Sequence, residues 1–179
     1  MKPKINIQAK DILKSGADII VFSAHPSLLA GSGVSDIVHQ AAGPELEVFA
    51  KSLGPIAPGQ SVITPAFNLS AKYIIHAVCP RYIYGTPEEE SLLAMAYRSA
   101  LSLKVQAQDA SSIAFVSLGT GIYRWPLEVA AKIAVAELSK SEFDKTLICV
   151  ADIRTKAAYA REYKGIKIMQ TKTKSQQTC

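Results

Sequence analysis

Two short segments hold glycines one residue apart: Ala30-Gly31-Ser32-Gly33-Val34 and Gly119-Thr120-Gly121-Ile122-Tyr123. Glycine lets successive backbone N–H groups turn toward one point and lets an anion approach the chain closely. Each segment follows a short apolar run and precedes a helical pattern, so a helix N-terminus adds positive partial charge there. Phosphate binding is the chemistry this arrangement serves. A tight strand-to-helix connection is the plain alternative for either turn taken alone. Neither is a P-loop, because no Gly-Lys-Ser or Gly-Lys-Thr follows, and neither has the Gly-x-Gly-x-x-Gly spacing.

The turns must be positioned by the runs around them. Residues 19–22, 62–63, 73–78, 112–118 and 147–150 are short, apolar and rich in β-branched side chains, which predicts strands. Residues 35–42, 45–52, 126–138 and 153–163 carry apolar positions at helical spacing. Pro87 followed by Glu88, Glu89 and Glu90 predicts another helix start, since proline suits the first turn and acids favour the positive end of the macrodipole. Its expected buried face is Leu92, Leu93, Met95, Ala96, Ala100, Leu101 and Leu103. Strands alternating with helices predict a three-layer α/β domain with a parallel or mixed sheet. No repeat or internal linker divides the chain, so residues 1–169 read as one domain and residues 170–179 as a polar, disordered tail.

Composition is that of a globular protein: of 179 residues, 49% are hydrophobic and 20% charged. The net charge of +5 suits anionic ligands but is too small to establish nucleic-acid binding. Much of the excess lies near the ends, at Lys2, Lys4, Lys156, Arg161, Lys164, Lys167, Lys172 and Lys174, and reads as solvated surface. Cys79, Cys149 and Cys179 have no disulfide or zinc spacing, and Cys149 sits in an apolar run as a buried thiol. Neither a signal-peptide core nor a bilayer-length apolar run is present, which predicts a cytoplasmic protein with no membrane partner. Nothing calls for a metal or another cofactor.

The surroundings of the two turns are more specific than the turns. Lys10-Asp11-Ile12, Ala17-Asp18-Ile19-Ile20-Val21, Ala41-Ala42-Gly43-Pro44-Glu45-Leu46, Gly59-Gln60-Ser61-Val62-Ile63-Thr64-Pro65 and Gly119-Thr120-Gly121-Ile122-Tyr123-Arg124-Trp125-Pro126 resemble the macrodomain family in order and spacing. The resemblance runs over residues 4–165. It implies an α/β/α sandwich with a central mixed, largely parallel sheet that binds ADP-ribose, free or on an ADP-ribosylated protein. It also implies that residues 30–34 and 119–125 hold the diphosphate through backbone amides. Asp11 matches the family aspartate that accepts from the adenine amino group, and Ile12 its neighbour. An ionised carboxylate is acceptor-only, so it selects an amine; the plain alternative for Asp11 is a turn cap.

The far end departs from the family pattern. Hydrolytic members carry Asn-Ala-Ala-Asn where this chain has Phe22-Ser23-Ala24-His25, and an aspartate where it has Ser35. Asp36 is next door, but one helical residue turns it about 100° away. His25 replaces the asparagine that fixes the distal ribose. It is a candidate general base or a donor to a ribose hydroxyl, or else it packs the strand end before Pro26. His39 and His76 match scaffold segments. Arg124 replaces a glycine and is either a phosphate clamp, a solvent-facing side chain or an obstruction at the distal ribose. Trp125 replaces Phe or Tyr as an expected aromatic wall. The expected function is ADP-ribose binding. A hydrolase that removes ADP-ribose from proteins, or the acetyl or phosphate group from a substituted ADP-ribose, is the alternative, and a nucleic-acid role a further one.

Overall fold

The computed structural model describes residues 5–176, with side chains as far as residue 165. Lys2, Lys4 and Cys179, and the side chains of Lys167, Lys172 and Lys174, lie outside the described residues. Six strands form one sheet: β1 (Ile5–Ala9), β2 (Ile19–Ser23), β3 (Ser61–Pro65), β4 (Tyr73–Ala77), β5 (Ser112–Val116) and β6 (Lys145–Val150). Their order across the sheet is β1-β6-β5-β2-β4-β3. All neighbours pair parallel except β3 with β4, so the sheet is mixed and largely parallel as expected. Central strands of such a sheet are covered on both faces, which is why β2 and β5 read as continuous apolar runs.

Helices cover both faces. α1 (Val34–Ala42) and α2 (Pro44–Lys51) pack on one side, and α3 (Pro87–Ser102), α4 (Leu127–Leu138) and α5 (Ile153–Gln176) on the other. The alternation along β2 shows the division: Ile19 and Val21 join the core under α3–α5, while Ile20 and Phe22 join the core under α1 and α2.

Three expectations need correction. β1 was not expected at all, because its apolar positions Ile5, Ile7 and Ala9 alternate with Asn6 and Gln8 inside a charged segment, and one edge strand gives only a weak signal. On α3 the inward stripe is Leu93, Ala96, Tyr97 and Ala100, the i, i+3, i+4, i+7 set; Met95 falls off that stripe and is 43% exposed. The last helix does not end at residue 163. Its backbone is helical through Gln176, into the segment expected as a disordered tail, since Lys, Met and Gln favour helix and no proline stops it.

Candidate ligand-binding cleft

In an open parallel sheet the strands' carboxyl ends leave a crevice between the following loops. Here a cleft of about 780 Å³ lies beyond the ends of β1, β6, β5 and β2. Both glycine turns line it: Gly31, Ser32, Gly33 and Val34 from one side, and Gly119, Thr120, Gly121, Ile122 and Tyr123 from the other. Asp11, Ile12, His25 and Ser35 also line it. Ala30, Arg124 and Trp125 do not.

The first turn ends at Gly33, whose φ of 63 is the left-handed region that favours glycine. Gly33 occupies the N-cap position of α1, and no side chain caps that helix. The first amides of α1 are therefore left without an intrahelical acceptor at the cleft edge. Ser35, on this first turn, is 5% exposed and its Oγ has no hydrogen-bond partner. It is the one polar side chain of α1's inward stripe that also reaches the cleft.

The second turn is built from behind. Gly119 has φ 83, its N–H donates to Ser23 Oγ at 3.2 Å, and a Cβ there would sit 2.6 Å from Trp125 Cδ1. Trp125 is 3% exposed, donates through Nε1 to Pro80 O at 2.9 Å, and meets the Tyr82 ring edge-on at 5.2 Å. The expected aromatic wall is thus a buried prop beneath the turn, because the left-handed backbone just before it rotates the indole inward. Thr120 Oγ1 donates to Ser117 O at 3.0 Å, and Ser117 Oγ meets Tyr159 Oη at 2.6 Å, tying the turn to α5.

Arg124 stands at φ 61. That region costs a non-glycine residue roughly 1–2 kcal/mol, whereas glycine adds roughly 0.5–1 kcal/mol of unfolded-chain entropy. Arg124→Gly is therefore expected to raise the unfolding free energy by about 0.5–1 kcal/mol, read from urea denaturation. A loss of stability would mean that the arginine side chain, which makes no hydrogen bond or ion pair among the described residues, stabilises the fold in another way.

Asp11 does two things at once. Its Oδ1 accepts from Leu13 N–H at 3.0 Å and caps the 3-10 turn Ile12–Lys14, while the residue lines the cleft. Ile12 is buried behind it. At the other end, His25 Nδ1 accepts from Ser27 N–H at 3.1 Å and lies 2.7 Å from Ser27 Oγ. A backbone amide can only donate, so Nδ1 carries the lone pair and the neutral ring bears its proton on Nε2. Held this way, His25 offers a donor rather than a free base.

His39 and His76 lie in the core as expected. Phe22 packs edge-on against both, at 6.1 and 5.0 Å. Burial, with His39 beside it, holds the His76 imidazole down to about 3. Burial also lowers His39 against the opposing charges of Glu47 and Asp36. Cys79 and Cys149 are free and buried, and burial pushes their thiols up to about 12 and about 11, which makes them poor nucleophiles.

Lys10, Cys149, Val150 and Thr155 line the Asp11 end but were not expected there. They flank the pairing of β1 with β6, in which Ala9 lies opposite Val150. Recognising β1 in the sequence would have placed them.

A sequence profile of the Macro domain matches residues 21–134. An O-acetyl-ADP-ribose deacetylase of Cronobacter turicensis is 43% identical over 143 residues, covering 78% of this chain and 81% of that protein. A macrodomain of Oceanobacillus iheyensis solved with ADP superposes with a TM-score of 0.84 at 33% identity, over 94% of this chain and 97% of that one. A Trypanosoma brucei macrodomain in complex with ADP-ribose gives 0.79 at 27% identity, over 88% and 68%. Together with the α/β/α layers and the paired glycine turns, these matches show that the chain belongs to the macrodomain family.

Proposed function

We propose that this chain binds ADP-ribose or a closely related ADP-ribosyl derivative, with the adenine at Asp11 and Ile12 and the diphosphate between the two glycine turns. The observation that carries this reading is the single cleft in which both turns face each other with Asp11 at one end. Similar chains solved with ADP and with ADP-ribose support it. Titration calorimetry with ADP-ribose is expected to give saturable one-to-one binding. No heat at millimolar ligand, under conditions where the protein is folded, would overturn the reading.

Hydrolysis is the second reading, favoured by the similarity to an O-acetyl-ADP-ribose deacetylase. Cleavage requires a group that takes a proton from water. Among the described residues Asp11 is the only carboxylate lining the cleft, and it belongs to the end opposite His25. The Nδ1 lone pair of His25 is already engaged with Ser27. In this site the proton acceptor would be the substrate's own phosphate, with His25 donating from Nε2 and Ser35 Oγ holding the water or a hydroxyl. Incubation with acetylated ADP-ribose separates the readings: binding without release supports a reader, and release abolished by Ser35→Ala supports an enzyme.

A further inference from the structure

Residues 80–86, which join β4 to α3, do not line the cleft, yet they are held by many bonds. The Glu89 carboxylate accepts from the N–H groups of Ile83 (3.3 Å), Tyr84 (3.3 Å), Gly85 (2.7 Å) and Thr86 (3.4 Å). Thr86 completes the reciprocal cap on α3. Gly85, at φ 67, leaves no room for a side chain, since Tyr82 Oη is 2.6 Å from where a Cβ would sit. The loop is also fastened to the second glycine turn. Tyr82 N–H donates to Tyr123 O at 3.0 Å, Trp125 Nε1 to Pro80 O at 2.9 Å, and the Arg81 guanidinium lies 5.7 Å over the Tyr123 ring.

This stiff pair of loops holds three large apolar side chains in solvent: Tyr84 at 84% exposure, Ile122 at 71% and Ile83 at 62%. Single exposed apolar residues are ordinary, but a cluster beside a ligand cleft marks an interaction surface. Arg81 and Arg124 stand on the same loops, and neither forms an ion pair among the described residues. The nearby Glu89 is occupied by backbone amides, and the exposed Glu88 and Glu90 pair with neither arginine.

Strand order fixes where this surface lies. The cleft starts at Asp11 beyond β1 and reaches His25 beyond β2, and β4 is the next strand outward. Three strand spacings, about 14 Å, separate β1 from β2. The β4–α3 loop therefore flanks the end of the cleft opposite Asp11.

We propose that Ile83, Tyr84 and Ile122, with Arg81 and Arg124, form the docking surface for the polypeptide that carries an ADP-ribosyl group, and that it selects segments with acidic residues beside the modified position. The inference rests on the adenine lying at Asp11, which sends the distal ribose and whatever is joined to it toward this surface. The apolar side chains cover peptide, the guanidinium groups pair with carboxylates, and the stiffness of the loops lowers the ordering cost of binding.

The test titrates the native chain and the double variant Ile83→Ser/Tyr84→Ser with three ligands. These are free ADP-ribose, a peptide bearing ADP-ribose through a non-hydrolysable link between Asp and Glu residues, and the same conjugate with Asn and Gln flanks. The acid-flanked conjugate is expected to bind about tenfold more tightly than free ADP-ribose. That advantage should shrink with neutral flanks and with added salt. The double variant is expected to lose the advantage while keeping the native affinity for free ADP-ribose, which also shows that it is folded. Equal affinity for conjugate and free ligand, indifference to the flanks, or an unchanged double variant would each overturn the docking surface alone. Failure of free ADP-ribose to bind the native chain would overturn the underlying reading and the docking surface with it.

Discussion

Gly119→Ala is expected to cost the fold roughly 2–5 kcal/mol and to weaken ADP-ribose binding at least tenfold in the protein that remains folded. Two costs add. The backbone sits at φ 83, where a Cβ is strained, and the new methyl would lie 2.6 Å from Trp125 Cδ1. Flexible side chains absorb such a contact, but this indole is held by its hydrogen bond to Pro80, by the Tyr82 ring and by burial. Its own backbone N–H also donates to Gly119 O at 3.1 Å, so moving the ring moves the turn. A total stability of about 5–15 kcal/mol leaves little margin for that loss. Gly121→Ala is the matched control. Nothing lies within 4 Å of its Cβ, and no positive φ is required there. It is expected to leave thermal stability within about 0.5 kcal/mol of native while its methyl, in the cleft lining, weakens the ligand. A Gly119→Ala protein as stable as native would show that Trp125 is not a rigid prop.

Much of the site was legible because its elements are local. A glycine turn between an apolar strand and a helix is written in consecutive residues, and both turns line the cleft as read. What failed to show in the sequence depends on tertiary placement. Trp125 reads as a wall residue in a row, yet φ 61 at Arg124 turns it under the loop. Arg124 and Ala30 belong to the turns but do not line the cleft. The inward stripe of α1 is Ser35, Val38, His39 and Ala42, half of it polar. A search for apolar periodicity picks Ile37, Val38 and Ala41, of which Val38 alone is buried, while Ala41 is exposed and the exposed Ile37 lines the cleft. The orientation of His25 is likewise invisible until Ser27 is seen to occupy Nδ1. The β4–α3 loop reads only as a helix start, because what makes it stiff is one glutamate reaching back over four amides.

Asp11→Asn tests the adenine end more sharply than Asp11→Ala. Alanine removes both the cap to Leu13 and the cleft-facing oxygen, so lost binding would mix a disturbed turn with a lost contact. Asparagine keeps one carbonyl oxygen for the Leu13 N–H and replaces the other with an NH₂ donor. Facing an adenine amino group, that donor meets another donor. A hydrogen bond from a neutral group to a carboxylate is worth about 1.5–3 kcal/mol, so Asp11→Asn is expected to weaken ADP-ribose by roughly 10–150-fold. Its thermal stability should stay near native, while Asp11→Ala loses about 1 kcal/mol through the cap. Base choice should change as well. The inosine analogue, with a carbonyl where adenine has its amino group, is expected to bind the native chain poorly and the asparagine variant better than ADP-ribose. Calorimetric titration of both ligands against both proteins reads this reversal. Unchanged affinity for both ligands in Asp11→Asn would reduce Asp11 to a turn cap and move adenine recognition to the apolar floor at Ile12.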